Sequence, residues 1–305
     1  MFRNAMIGLM LLVLQAIPAV ARPLNVVTDI APIRALVAAI TGTDISPRNL
    51  IPAAISPHDF VLKPSHMRQL ADADLIIWLG PHSTPALARP LSRTNAGKRL
   101  LTLNQLPGTL LLPLRSPGLF GTRPTGITRL APRPENIDPH SWLAPENLRL
   151  WARAIARRLS ALDPDNNATY QGNLKQFLSR LGKAERDIRQ ELQPPLKPFV
   201  QYHDSFQYFE RGFALLPLGA ATTGAMESAS LGTIIGLRDA LANQGDACVF
   251  VTSPALKNRA APLLTYGATL AVVDPLGRDI DPADYTPTAL LRHIAGRMAS
   301  CLRTP

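Results

Sequence analysis

The chain has only two cysteines, Cys248 and Cys301, and beyond its first 21 residues it has no apolar run long enough to cross a bilayer. At 305 residues with so few cysteines it is no disulfide-stapled mini-protein, and it has enough chain for two domains. Its Gly and Pro residues follow no period, which excludes collagen-like and repeat architectures. Acidic residues are also short, 22 against 32 basic ones, giving a net charge of +10. The basic residues are scattered singly, and the densest group (Arg115, Arg123, Arg129, Arg133) lies in a Pro-rich loop without interleaved aromatics. The charge therefore reads as a solvated surface, and no nucleic-acid partner is expected.

What is present begins with an export signal. Arg3 supplies a positive start, Ala5 to Ile17 an apolar stretch, and Ala19-Val20-Ala21 a small-x-small cleavage site. Gln15 and Pro18 interrupt the stretch, which falls short of the roughly 20 residues a membrane span needs. The mature chain is expected to start at Arg22 in the periplasm, without a membrane span and as a monomer. In that oxidising compartment an even pair of cysteines implies one disulfide.

Short apolar runs alternate with helical patterns, the signature of an α/β fold with mostly parallel sheets flanked by helices. Strands are expected at Leu24 to Thr28, Asn49 to Pro52, Leu75 to Leu79 and Arg99 to Leu103, then at Pro198 to Tyr202, Phe213 to Leu216, Ala247 to Thr252 and Ala268 to Val273. Between the two sets, Asp163 and Pro164 open a long amphipathic helix that runs to about Leu192, before Pro194-Pro195. The expected division is a signal over 1–21, an N-terminal lobe over 22–162, a rigid connecting helix over 163–193 and a C-terminal lobe over 194–305. Pro107 to Pro139, rich in Pro, Gly and Arg, reads as a mobile surface loop that can be deleted up to Glu135 without loss of metal affinity.

In open α/β sheets, ligands sit beyond the carboxyl ends of the strands. There the sequence places His203-Asp204, Asp274, His58-Asp59 and His82, while His140 stands in Asp138-Pro139-His140-Ser141-Trp142, just before a helix at Pro145. Neutral imidazoles plus a carboxylate are a donor set suited to Zn²⁺. Their separations form no local motif, Asp274-Pro275 is equally a turn, and His66, His82 and His293 read as ordinary surface or hydrogen-bonded histidines.

Four segments resemble one family. Ser56-Pro57-His58-Asp59-Phe60 with the run Leu70 to Gly80, Asp138 to Asn147, Tyr202-His203-Asp204-Ser205-Phe206 to Phe209, and Asp274-Pro275-Leu276-Gly277 are similar, in that order, to the metal-specific (cluster A-I) solute-binding proteins of bacterial ABC importers. The resemblance implies a two-lobed periplasmic receptor that holds an ion between its lobes and delivers it to an inner-membrane ABC permease. It implies His58, His140, His203 and Asp274 as metal ligands, and no catalysis. A histidine at the position of His203 implies zinc, where manganese or iron members carry a carboxylate. The pair Cys248 and Cys301 matches the bridge of the Gram-negative zinc importers. Two features depart from the pattern: the Pro107 to Pro139 loop has no histidine, and Val249 to Pro254 lacks the usual Glu before the Pro.

The rival within the family is a manganese or iron carrier. The rival from another class is a secreted zinc hydrolase, since three histidines with an open position also describe catalytic zinc. Against it, the chain carries no H-E-x-x-H pair and no nucleophile motif.

Overall fold

The computed structural model describes residues 22–93, 97–121, 136–224, 227–264 and 267–303. The expected signal and its cleavage site lie outside them. In the first half, the β-branched run Val26–Thr28 forms β1, and β2 (Arg48–Asn49), β3 (Leu75–Trp78) and β4 (Leu100–Thr102) join it. They make an all-parallel sheet in the order β2-β1-β3-β4. Helices α1 (Ala31–Thr41), α2 (Pro64–Asp72) and α3 (Ala88–Arg93) are its crossovers. β1 and β3 are buried along their whole length, as continuous apolar strands covered on both faces must be.

The last segment of the first half crosses to the second. Residues 112–114 pair with 136–138 through Leu114 N to Asn136 O (2.9 Å) and Asp138 N to Leu112 O (2.8 Å). A two-residue strand, β5 (Gly118–Leu119), then joins the second sheet. That sheet has the order β5-β7-β6-β8-β9, with β6 (Phe199–His203), β7 (Gly219–Thr222), β8 (Cys248–Val251) and β9 (Thr269–Val272) parallel and only β5 antiparallel.

Two long helices join the halves, α4 (Pro145–Leu162) and α5 (Asn167–Glu191). α5 buries Tyr170, Phe177, Leu181, Ala184 and Ile188, one stripe at helical spacing, and packs on α1, α4 and α9 (Pro287–Leu302). At 1.5 Å per residue its 25 residues span about 37 Å. The remaining helices are α6 (Gln207–Phe213), α7 (Leu231–Ala242) and α8 (Lys257–Ala260). Cys248 on β8 and Cys301 on α9 form a disulfide with sulfurs 2.07 Å apart.

Two expectations need correction. The strand expected at Phe213 to Leu216 is the end of α6 and its left-handed exit at Ala214, and the strand lies six residues on, at Gly219–Thr222. The connecting helix opens where expected, at Asp163 and Pro164, with a single 3-10 turn over Pro164–Asn166, and the Asp163 carboxylate accepts from Asn166 Nδ2 (2.9 Å) and the Tyr170 hydroxyl (2.5 Å). The Pro107 to Pro139 segment is not a surface loop at its ends: Leu112, Ile137 and Asp138 are buried, and Arg115 makes buried ion pairs. Residues 122–135 of it lie outside the described set, and the deletion expected to be harmless would take Arg115 and β5 with it.

Candidate metal centre

Each of the three histidines owes its position to a different local device. His203 ends β6, whose five residues are all buried, so its ring projects from a rigid strand end. His140 precedes a 3-10 turn (Ser141–Leu143) that leads into α4. His58 sits in the turn after β2, held by Asp59 N to Ser56 O (3.1 Å) and by its own N–H to Ser56 Oγ (3.3 Å). The rings converge. The His140 centroid is 5.6 Å from that of His58 and 5.1 Å from that of His203, with neighbouring planes crossed at 77° and 64°. Three imidazoles bound to one tetrahedral Zn²⁺ at about 2.0–2.1 Å would hold their centroids about 5 Å apart. Among the described residues no three His, Cys, Asp or Glu side chains stand close enough together to hold a metal ion in this conformation, and of the two ring gaps the wider is that between His58 and His140.

The nitrogens are prepared for a cation. Asp138 Oδ1 accepts from His140 N–H (2.9 Å) and lies 2.9 Å from His140 Nδ1, which leaves Nε2 for an ion. Asp138 is held in turn by α6: the Gln207 amide, with its nitrogen facing the carboxylate, donates to Asp138 Oδ2 (2.9 Å), and the Tyr208 hydroxyl donates to the Asp138 carbonyl (3.0 Å). Both ring nitrogens of His203 are buried without a hydrogen-bond partner. Burial, then the neighbouring His140 and His58, hold the His203 imidazole well below the usual histidine range, with the Thr223 backbone acting weakly the other way. Burial, with His140 second, brings His58 down to about 4, against the pull of Asp138. Both are neutral donors at pH 7.

Beneath the rings lies a charged floor that sequence reading missed. Arg115 donates through Nε and Nη2 to the two oxygens of Asp204 and through Nη1 to Glu210 Oε2 (2.8 Å), and its guanidinium lies 4.1 Å from the centre of the Phe120 ring. Burial pushes the Glu210 carboxyl up to about 7, against the attraction of Arg115. Arg115 stands 89 and 95 residues from its partners, so only the fold brings them together.

Asp274, the expected fourth ligand, is bound by donors of its own turn. Its Oδ1 accepts from Leu276 N (3.0 Å) and Arg278 Nη2 (3.1 Å), and its Oδ2 from Arg278 N (2.9 Å) and Nε (2.7 Å). Backbone and guanidinium donors together make it the anchor of the turn after β9. The three histidines instead open into a cavity of about 250 Å³, bounded also by Asp59, Ser253, Leu256 and Arg278. The halves also meet beside it, where Trp142 Nε1 donates to the Pro275 carbonyl (2.9 Å). His66 accepts from Lys63 N–H, and His293 lies 2.9 Å from Asp279, both away from this cavity as expected of them.

Residues 26–301 match the family described as ZnuA, zinc-uptake complex component A, periplasmic. The chain belongs to that family. Among ZnuA relatives, the high-affinity zinc uptake system protein ZnuA of Paracoccus denitrificans is 30% identical, with 94% of each chain covered. The protein of the same name from Yersinia pestis is 29% identical over 93% of this chain and 94% of its own. The crystal structure of a zinc-bound ZnuA lacking residues 138–173 superposes with a TM-score of 0.75 at 26% identity, covering 93% of this chain and all of the other. The ZnuA family is one of substrate-binding components, not an enzyme class.

Proposed function

We propose that this protein captures Zn²⁺ in the periplasm at His58, His140 and His203 and passes it to the permease of an ABC importer. The observation that carries this reading is the convergence of three imidazoles, 5.1 and 5.6 Å apart between neighbours, on one cavity walled by both halves of the chain. The ZnuA relatives, named for high-affinity zinc uptake, support the cargo. Among the described residues no helix is long and apolar enough to cross a membrane, in keeping with a protein that meets its permease from outside.

In this reading the signal is removed after Ala21, and residues 22–162 and 194–305 act as lobes braced by the helices between them. Capture needs no chemistry beyond ligand exchange. The His58 and His203 rings are already unprotonated at neutral pH, so zinc displaces water and no proton from them. Release then depends on the permease moving the His58 side away from the other two.

The test is metal analysis of the mature protein after dialysis against equimolar zinc, manganese and iron, alongside a His203→Ala variant. One zinc per chain in the wild type and none in the variant is the expected result, with the melting temperature of the wild type rising on zinc addition. Manganese or iron in preference to zinc, or a His203→Ala variant that retains zinc, overturns the reading.

A further inference from the structure

Three imidazoles are neutral donors, so a divalent cation they hold keeps its charge unless an anionic donor joins them. Asp274 is not available for this, because both of its oxygens are engaged by Arg278 and by backbone N–H groups. Asp59, the carboxylate on the cavity wall, is exposed to solvent. The space itself is generous: about 250 Å³, against a share of about 30 Å³ for one water in the liquid.

Arg278 borders this cavity. Its Nε and Nη2 serve Asp274 and the Thr252 carbonyl, while Nη1 has no hydrogen-bond acceptor among the described residues. Arg278 and Leu276 also border a second cavity of about 160 Å³ at the start of α1, whose wall carries another cation, Arg34, beside apolar Ile51, Ile55 and Ile280. A fixed positive group thus stands between an ion site short of an anion and an adjoining apolar recess.

The geometry points to a small carboxylate, taken from solution together with the metal, as the anionic donor that completes the coordination shell, its second oxygen accepting from Nη1 of Arg278. This rests on the reading that the three histidines hold a metal ion. Arg278 then acts twice, keeping Asp274 out of the shell and drawing an external carboxylate into it, since charge-assisted bonds from a guanidinium to a carboxylate are among the stronger polar contacts.

Cobalt(II) makes this visible, because its d–d absorption follows the number and kind of its ligands. The full mature chain is loaded with an equimolar amount of Co²⁺ in chloride-free buffer and titrated with acetate. A saturable spectral change is expected for the wild type. Arg278→Gln should still bind Co²⁺ but need about tenfold more acetate, equivalent to 1.4 kcal/mol. Should that variant fail to fold, Arg278→Lys, which keeps the charge but not the fork, should also need more acetate than the wild type. A wild-type spectrum that acetate leaves unchanged up to about 100 mM, a very weak affinity, overturns the co-ligand, as it would if Asp59 filled the position. A folded Arg278 variant with the wild-type acetate response also overturns it. Failure of Co²⁺ to bind at all counts instead against the metal reading beneath it.

Discussion

The floor and the rim of the metal centre are built differently. On the floor, His203 ends a fully buried strand, Asp204 and Glu210 are paired with Arg115, and Asp138 is clasped by Gln207 and Tyr208 of α6. At the rim, His58 sits in a partly exposed turn braced by Ser56. Strand ends and buried ion pairs hold a ligand in one place, whereas a turn with two weak bonds lets one move. The contrast suggests that the floor is set before the ion arrives and that the rim closes over it.

The largest effect should come from breaking the floor. Arg115→Ala leaves Asp204 and Glu210 buried without their cation, and loss of one partner of a buried ion pair costs about 3–5 kcal/mol. Denaturant unfolding of the metal-free protein checks this, and a loss below about 1 kcal/mol would place the pairs among ordinary surface bridges.

The rim is sharpened by pH. The His58 imidazole falls from 6.5 to about 4 on folding, so between those values the unfolded chain binds the extra proton. Its contribution is complete above pH 6.5 and is lost as the pH drops through about 4, a change of about 3 kcal/mol at 1.36 kcal/mol per pH unit. The metal-free wild type should therefore lose more stability than His58→Asn between pH 6.5 and 4, and equal losses would show that the ring is not desolvated.

The smallest of these effects concerns the link between the two regions. Asp138→Asn keeps the shape but weakens the bond that orients His140, and carboxylates in this position are worth about 10–100-fold in metal affinity. Competition with a chelator measures it, and an unchanged affinity would assign Asp138 to folding alone.

The parts of this molecule written in consecutive residues were legible. The strands Val26–Thr28, Leu75–Trp78, Phe199–His203 and Cys248–Val251 are apolar runs that lie within one or two residues of where the pattern puts them. The helix at Pro145 announces itself with proline at its first turn. The three histidines became a site only through the rule about strand ends and the family resemblance, since 82 residues separate His58 from His140. What stayed hidden has no local signature. β5 is two residues long and exists by pairing with a strand about a hundred residues away. β7, reading Gly-Ala-Ala-Thr, is less apolar than the Phe213 to Leu216 run, which carries the stronger strand signal. Arg115 looked like one more surface charge, and the donors that engage Asp274 come from its own turn, which a list of ligand residue types does not reveal.

β5 has a further consequence. A parallel sheet that stops at β7 would present a row of unpaired amide and carbonyl groups, the template on which a second chain can add. Gly118–Leu119 covers part of that row in the antiparallel sense, through Gly118 opposite Ala220 and Leu119 opposite Gly219, with Phe120 N–H donating to the Leu218 carbonyl (2.7 Å) just beyond. Gly219 has no room for a side chain there, because a Cβ would stand 2.2 Å from the Gly118 carbonyl oxygen. The same short strand that brings Arg115 under the metal centre thus blunts an aggregation-prone edge, and a chain that lost it would risk filament formation as well as a weakened floor.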